Sequence, residues 1–387
     1  MIQPILDALA EAAAMGWQIL WPLILGFTLS GVIQAVVSQK EISRLMPDDR
    51  PRSIGTALAL GAASSSCSYA AVAIARSLFR KGADFTAAMA FEMASTNLVL
   101  DLSIIMIVFL GWRLTLAEII GAPLMVILLV GLFQRFLSRQ MVEAAKEQAE
   151  RGIAGRMEGH AEMDMAVTTG GSLWQRVTSE KGITASSHYF VMDWVSVWPD
   201  IVLGLLIAGA LAAWVPQEFW RSFFLAGHPA IATIWGPLLG PLIAVGSFVC
   251  SVGNIPLAAV LWNGGISFGG VIAFIFADLI VLPVLDIYRK YYGLKMAVFL
   301  FLTFYAAMAG AAFIVEGVFS LLGLVPAEHN ARIAQASIAW DYTTWLNLMF
   351  LAVAGVLLWR FFRTGGPAML RMMNRPMPHK ITHLPAP

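Results

Sequence analysis

The two cysteines, Cys67 and Cys250, are the residues with the most specific chemistry, and both lie inside apolar runs. Thiolate sulfur is a soft ligand that prefers trivalent arsenic compounds, Cu(I) and other thiophilic species to hard cations. A buried cysteine is also a small apolar side chain, which is the plain alternative. Hydroxyl and amide side chains accompany both thiols. The sequence therefore predicts a substrate-binding site formed by Cys67, Cys250, Ser64, Ser68, Ser247, Ser251, Asn254 and Asn97.

Acidic residues in apolar surroundings form a second group of candidates. An ionised side chain at the centre of a bilayer costs about 2.5 kcal/mol or more, so acids retained there usually face the protein interior, a cavity or a partner. We predict that Glu92, Asp101 and Asp278 couple transport to an ion or a proton. Asp286 is interpreted as a surface ion pair with Arg289, three residues further along a helix.

Other classes of function find no support in the sequence. Nucleotide-binding loops, catalytic triads and zinc-binding helix motifs are absent, and 25 Lys and Arg against 24 Asp and Glu leave no basic field for nucleic acid. We interpret the cluster Glu158, His160, Glu162 and Asp164 as a solvated charged stretch. We therefore expect that the protein is not an enzyme and that it has no cofactor, metal or nucleic-acid partner. The expected partners are membrane lipid and a small-molecule or ion substrate, and homo-oligomerisation stays open.

The elements that position these residues are apolar helices. With 59% hydrophobic and 13% charged residues, the chain cannot have water as its main solvent. A helix needs roughly 20 apolar residues to cross about 30 Å of hydrocarbon. The first apolar run near that length, 17–38, lacks the cleavage pattern of a signal peptide. It is therefore expected to remain in the protein as a membrane span. The nine runs are 17–38, 53–79, 85–110, 114–137, 198–215, 230–262, 266–287, 296–321 and 344–362.

An internal repeat relates the two halves of the chain. Sliding the sequence by 183 residues, the separation of the two cysteines, places 64–94 on 247–277 without a gap. The same shift carries the run at 17–38 onto 200–221 and the run at 114–137 onto 297–320. Transporters are often built from such repeats.

The distribution of positive charge decides between two topologies. Nine simple crossings, the alternative, divide the basic residues almost evenly between the faces, against the positive-inside rule. If 53–79 and 230–262 are instead re-entrant helical hairpins, only Arg113, Arg221 and Arg332 of the 25 basic residues lie outside. Each half then has an odd number of crossings, which makes the repeats inverted.

The predicted fold is thus an all-α polytopic membrane protein with two inverted repeats, about seven crossing helices and two re-entrant helical hairpins. Residues 1–137 form the first membrane repeat, and residues 138–197 form a cytoplasmic loop and an interfacial helix. Residues 198–321 form the second membrane repeat. Residues 322–387 form an extra transmembrane helix and a cytoplasmic tail.

The repeated pattern resembles the predicted permease family that includes the organoarsenical efflux permeases. The stretches that carry the resemblance are SSSCSYAAVAIARSLFRKGADFTAAMAFEMAST (64–96) and SFVCSVGNIPLAAVLWNGGISFGGVIAFIFADL (247–279). The resemblance covers roughly 20–320. Where the family commonly has Cys-Ser-Cys followed by Pro, this chain has Ser65-Ser66-Cys67 and Ala73. The resemblance implies efflux across the inner membrane, with Cys67 and Cys250 as substrate contacts.

These observations favour an inner-membrane permease, a secondary transporter that exports a small thiophilic solute such as a trivalent organoarsenical through a central site between the repeats. Two alternatives stay open. The first is a transporter of sulfur-containing anions or metabolites, held by helix N-termini rather than by thiolates. The second is a membrane thiol redox enzyme that uses the cysteines as a redox pair.

Overall fold

The described part of this protein, seen in a computed structural model, is entirely helical. It comprises residues 2–36, 44–64, 68–150, 165–167, 172–225, 227–246, 251–329, 331 and 342–373, and it contains no strand. The all-α prediction is confirmed. The helices are α1 (Ile2–Gln34), α2 (Pro51–Ser64), α3 (Ser68–Arg80), α4 (Phe85–Asn97), α5 (Leu100–Phe109), α6 (Trp112–Phe136), α7 (Arg139–Glu150), α8 (Leu173–Thr178), α9 (Glu180–Trp214), α10 (Gln217–Phe223), α11 (Pro229–Val245), α12 (Ser251–Asn263), α13 (Phe268–Phe276), α14 (Leu282–Tyr292), α15 (Leu294–Leu321), α16 (Tyr342–Arg363) and α17 (Gly366–Met373).

Several of these helices are long and apolar enough to cross a membrane. In the described residues four qualify, and up to six if each of two bent helix pairs is one span. The bent pairs are Gln3–Trp17 with Ile19–Leu29, and Phe268–Leu279 with Leu282–Tyr292. The four single spans, each of which matches one of the predicted apolar runs, are Phe85–Phe109, Trp112–Phe136, Leu294–Leu321 and Thr343–Arg363.

Large apolar side chains cover the outer surface of these helices. Ile127 on α6, Leu302 on α15 and Val356 on α16 are each more than half exposed, at 61%, 58% and 64%. A soluble protein rarely exposes apolar patches of such extent, whereas the hydrocarbon interior of a bilayer solvates them. The chain is therefore a polytopic membrane protein.

The two halves have matching helices at the offset found in the sequence. Helices α3 and α12 both have 13 residues and begin 183 residues apart, and α4 and α13 begin at the same separation. The turns before α4 and α13 each contain a glycine with positive φ, Gly82 at 102° and Gly265 at 94°. A left-handed conformation is accessible to glycine without strain. The repeat therefore extends from sequence to local backbone geometry.

Each predicted hairpin includes two described helices. Helices α2 and α3 flank residues 65–67, and α11 and α12 flank residues 247–250; both of these short stretches lie outside the described residues. None of the four described helices counts as a span by itself. That each pair of helices returns to the membrane face from which it starts stays a prediction.

Residues 186–200 lie at the end of the stretch predicted as a loop and an interfacial helix. They belong to one continuous helix, α9, which runs through Pro199 into the following apolar run. Ser187 and His188 are buried, with Ser187 donating to the carbonyl of Leu357 at 2.7 Å and His188 bonded to Thr364 at 2.8 Å. The local composition does not reveal this packing against α16.

The polar helix α7 is docked onto both halves rather than fully solvated. Arg76 of α3, only 4% exposed, donates from Nε and Nη2 to the carbonyl of Ala149 at 3.1 and 2.7 Å. Its guanidinium lies 4.4 Å from the centre of the Tyr291 ring on α14. Gln148 donates to the carbonyl of Lys290, also on α14, at 3.0 Å. The linker between the halves thus holds α3 and α14 together.

Close helix packing gives a first testable prediction. A Cβ on Gly240 of α11 would collide with the carbonyl oxygen of Gly270 on α13 and lie 2.9 Å from the amide nitrogen of Phe274. Small residues let membrane helices approach closely. Gly240→Ala is expected to destabilise the fold by about 1–3 kcal/mol, the usual cost of overpacking. Thermal unfolding in detergent measures the effect.

Gly131→Ala on α6 is the matched control, because no atom lies within 4 Å of a Cβ at that position. Alanine has the higher helix propensity, so the control is expected to be neutral or slightly stabilising. Equal losses of stability in the two variants would contradict the tight α11–α13 contact.

Candidate functional site

Asp278 lies at the centre of a buried polar cluster between the two halves. It is in the short 3₁₀ turn Ala277–Leu279 that follows α13, and it is fully buried. Its Oδ2 accepts a hydrogen bond from Ser68 Oγ at 2.7 Å, and its Oδ1 accepts one from Asn97 Nδ2 at 3.4 Å. Both donors belong to the first half. The cluster therefore joins one half of the chain to the other.

Interrupted helices bring these side chains together. In the second half, α13 ends at Phe276, and α14 begins with a proline in its first turn. In the first half, α4 ends at Asn97, and α5 begins three residues later, at Leu100. Proline lacks an amide hydrogen and starts helices well. Backbone groups freed by such breaks are tolerated within a membrane only when they face protein or a polar cavity.

A second polar contact between the halves lies close to the first. Glu92 on α4 and Tyr288 on α14 are both fully buried, and the Tyr288 hydroxyl donates a hydrogen bond to Glu92 Oε1. Glu92 Oε2 has no hydrogen-bond partner among the described residues. Asp278 lies close enough to Glu92 for the two carboxylates to repel each other when both are ionised.

Glu118 on α6 completes this group of acids and was not predicted from the sequence. It is fully buried, and in the described structure neither of its carboxylate oxygens has a hydrogen-bond partner. The charge of Asp278 acts on it as well. The available signal was the same as for Glu92, a lone acid in an apolar run, but Glu118 lies outside the repeated cysteine-bearing stretches.

The remaining predicted substrate-binding residues are placed as follows. Ser64 is buried at the end of α2 and donates to the carbonyl of Gly61 at 2.9 Å. Asn254 is fully buried in α12, and Ser251 begins that helix. The structure brings Ser68 and Asn97 together. Cys67, Ser247 and Cys250 lie outside the described residues.

Asp101, the third predicted coupling residue, is buried near the start of α5. Its side chain packs against α1, where a Cβ on Gly26 would collide with it. Asp286 is on the surface, where Arg289 and Lys290 each approach its carboxylate to 2.7 Å. The surface-pair interpretation is confirmed.

Another buried acid, Glu316 on α15, has a different environment. Its Oε2 accepts a hydrogen bond from Ser267 at 3.2 Å, and Ser267 is the N-cap of α13. In the first half, Asp84 is the N-cap of α4 at the equivalent position. An acid near a helix N-terminus is favoured by the helix dipole. We therefore interpret Glu316 as a residue that stabilises the start of α13.

The described residues contain no group of three or more His, Cys, Asp or Glu side chains arranged to hold a metal ion. The predicted solvated cluster Glu158, His160, Glu162 and Asp164 lies outside them. The described site consists of buried acids and the side chains that donate hydrogen bonds to them. Such a site can bind, release and pass protons.

Comparisons with known proteins agree with this architecture. A family model described as "Predicted permease" (ArsP_1) matches residues 5–317. The protein named "Putative permease Rv2963" from Mycobacterium tuberculosis (strain ATCC 25618 / H37Rv) is 59% identical over 339 residues, which is 88% of this chain and 84% of that protein. No solved structure shows a significant match.

Proposed function

Since the chain belongs to the predicted permease family, we propose that it is a secondary transporter of the bacterial inner membrane. Its substrate is a small thiophilic solute, such as a trivalent organoarsenical, which it exports through a central site at the junction of the two halves. The membrane character and the permease family are established above. The identity of the substrate, the direction of transport and the location in the bacterial inner membrane are proposed.

The observation that carries this proposal is the hydrogen bonding of Ser68 and Asn97 in the first half to Asp278 in the second. Ser68 directly follows Cys67 in the sequence, and Ser251, its repeat equivalent, directly follows Cys250. A buried polar junction that includes the chain neighbour of Cys67 is the arrangement expected for a solute site near the midplane. Cys67 and Cys250 are therefore proposed as the substrate contacts.

The halves are proposed to be inverted repeats with re-entrant hairpins α2–α3 and α11–α12. The matched helix starts and the paired glycine turns support the repeat, and the distribution of basic residues supports the inversion. In this arrangement, rocking of one half against the other exposes the central site to alternate sides. Glu92 and Asp278 supply the coupling, because they are the acids that bond across the junction.

The thiols give the second testable prediction. The Cys67→Ser/Cys250→Ser variant, reconstituted in vesicles, is expected to lose uptake of a trivalent methylated arsenical by more than about 100-fold. Mutation of a residue that only hydrogen-bonds to a metal ligand typically lowers metal affinity or activity by about 10–100-fold. Here both proposed ligands themselves are removed. Ser103→Ala on α5 is the control, since that hydroxyl donates to the carbonyl of Val99 in its own helix. Unchanged uptake in the double variant would reject thiolate binding.

Related measurements separate the alternatives. A transporter of sulfur-containing anions would keep its uptake of sulfite or thiosulfate in the double variant. A redox enzyme would show, in the native protein, a Cys67–Cys250 disulfide that cycles with quinone. The described site argues against the anion. Three buried acids, Glu92, Glu118 and Asp278, surround the junction, and like charges nearby disfavour an anionic ligand.

A further inference from the structure

Glu118 is the acid at the junction to which the proposed function assigns no role. It lies on the face of α6 that packs against the end of α13. One turn further along α6, a Cβ on Gly121 would lie 2.8 Å from Phe276 Cζ, and Phe276 precedes Asp278 by two residues. Glu118 is fully buried, and no described residue bonds to either of its carboxylate oxygens.

Several buried acids lie on the elements around Glu118. Asp278, in the turn after α13, lies close enough to Glu118 for the two carboxylates to repel each other when both are ionised. Helices α4, α5 and α15, which pack against α6, carry the further buried acids Glu92, Asp101 and Glu316. None of the salt bridges found among the described residues involves Glu118 or Asp278. In the described structure, a negative charge on Glu118 therefore has neither a cation nor a hydrogen-bond donor beside it.

The hydrogen bonds show which acid is best suited to each protonation state. Asp278 accepts hydrogen bonds from Ser68 and Asn97, which stabilise a carboxylate. Glu118 has no such donors in the described structure, and an ionised carboxylate without hydrogen bonds is strongly disfavoured in an apolar interior. A neutral carboxylic acid at Glu118 removes both that penalty and the repulsion from Asp278.

We propose that Glu118 is a third proton-binding residue of the site, a neutral acid while Asp278 is ionised, and that the two residues exchange this proton during transport. The proton leaves the Glu118 hydroxyl and binds a carboxylate oxygen of Asp278, so the charge of the pair stays at minus one. The role in transport rests on the proposed function, whereas the protonation of Glu118 does not.

Infrared spectroscopy of the purified full chain in lipid tests the protonation directly. A protonated carboxylic acid has a carbonyl stretch that a carboxylate lacks. Glu118→Gln is expected to remove one such band at neutral pH, Glu118→Asp to shift it, and Glu143→Gln, on the exposed surface of α7, to leave it unchanged. If the spectrum of Glu118→Gln keeps every carboxylic-acid carbonyl band of the native protein, the proposal is overturned.

A second readout tests the exchange. With a pH-sensitive dye outside the vesicles, addition of a trivalent methylated arsenical is expected to move protons with the native protein and with Glu118→Asp, but not with Glu118→Gln. Unchanged proton movement in Glu118→Gln would reject the exchange. If the native protein does not transport the arsenical, the proposed substrate is wrong, and the infrared band still decides the protonation of Glu118.

Discussion

Asp278→Asn is expected to reduce coupled transport strongly while the protein still folds and inserts. Asparagine has nearly the shape of aspartate but cannot exchange a proton, and the amide nitrogen that replaces one carboxylate oxygen cannot accept the hydrogen bond that Ser68 or Asn97 donates there. One buried donor is left without its acceptor, at a cost of about 1–3 kcal/mol in stability. Coupling energies between sites are typically about 1–3 kcal/mol, so the gradient-driven accumulation should fall by about 5- to 150-fold.

The measurement is accumulation of a trivalent methylated arsenical in everted vesicles with and without a proton gradient. Asp286→Asn is the matched control, because Asp286 belongs to an exposed ion pair on α14 and such pairs contribute about 0–1 kcal/mol. If Asp278→Asn responds to the gradient as fully as the native protein, Asp278 is not part of the coupling.

Removal of the hydroxyl in Tyr288→Phe is expected to have the next largest effect. Glu92 loses the donor to its Oε1, while its Oε2 already lacks a partner among the described residues. A buried carboxyl without donors costs about 1–3 kcal/mol or more. Glu92→Gln removes the exchangeable proton but keeps an oxygen that accepts from Tyr288. We therefore expect Tyr288→Phe to lower stability more than Glu92→Gln, and both to reduce transport.

A double-mutant cycle checks whether these residues act as a pair. For residues in direct contact, the interaction energy is typically about 0.5–3 kcal/mol. Thermal unfolding of the two single variants and of Glu92→Gln/Tyr288→Phe supplies the values. Strictly additive losses would mean that the bond between α4 and α14 does not contribute to joining the halves.

The sequence predicted the helical elements and the repeat well, because both depend on local patterns. Apolar runs correspond to helices, and the shift of 183 residues recurs in the starts of α3 and α12. Asp278 and Glu92 were also expected to face the protein interior, because an acid within an apolar run is costly in contact with lipid, and both are fully buried; their role in coupling stays a prediction.

The partners of these acids required the three-dimensional structure. Tyr288 follows Glu92 by 196 residues, and Asp278 follows Ser68 by 210, and no local pattern indicates either pairing. Glu118 was missed because it lies outside the repeated cysteine-bearing stretches on which the prediction of functional acids concentrated. The continuity of α9 was missed because burial against α16, not composition, stabilises its first half.

The docking of α7 has a consequence for movement between the halves. Arg76 of the first half and Lys290 of the second bond to neighbouring residues, Ala149 and Gln148, at the C-terminal end of α7. Rocking of the halves, as proposed above, would have to break one of these contacts. The bonds from the charged Arg76 side chain oppose that step by about 1.5–3 kcal/mol.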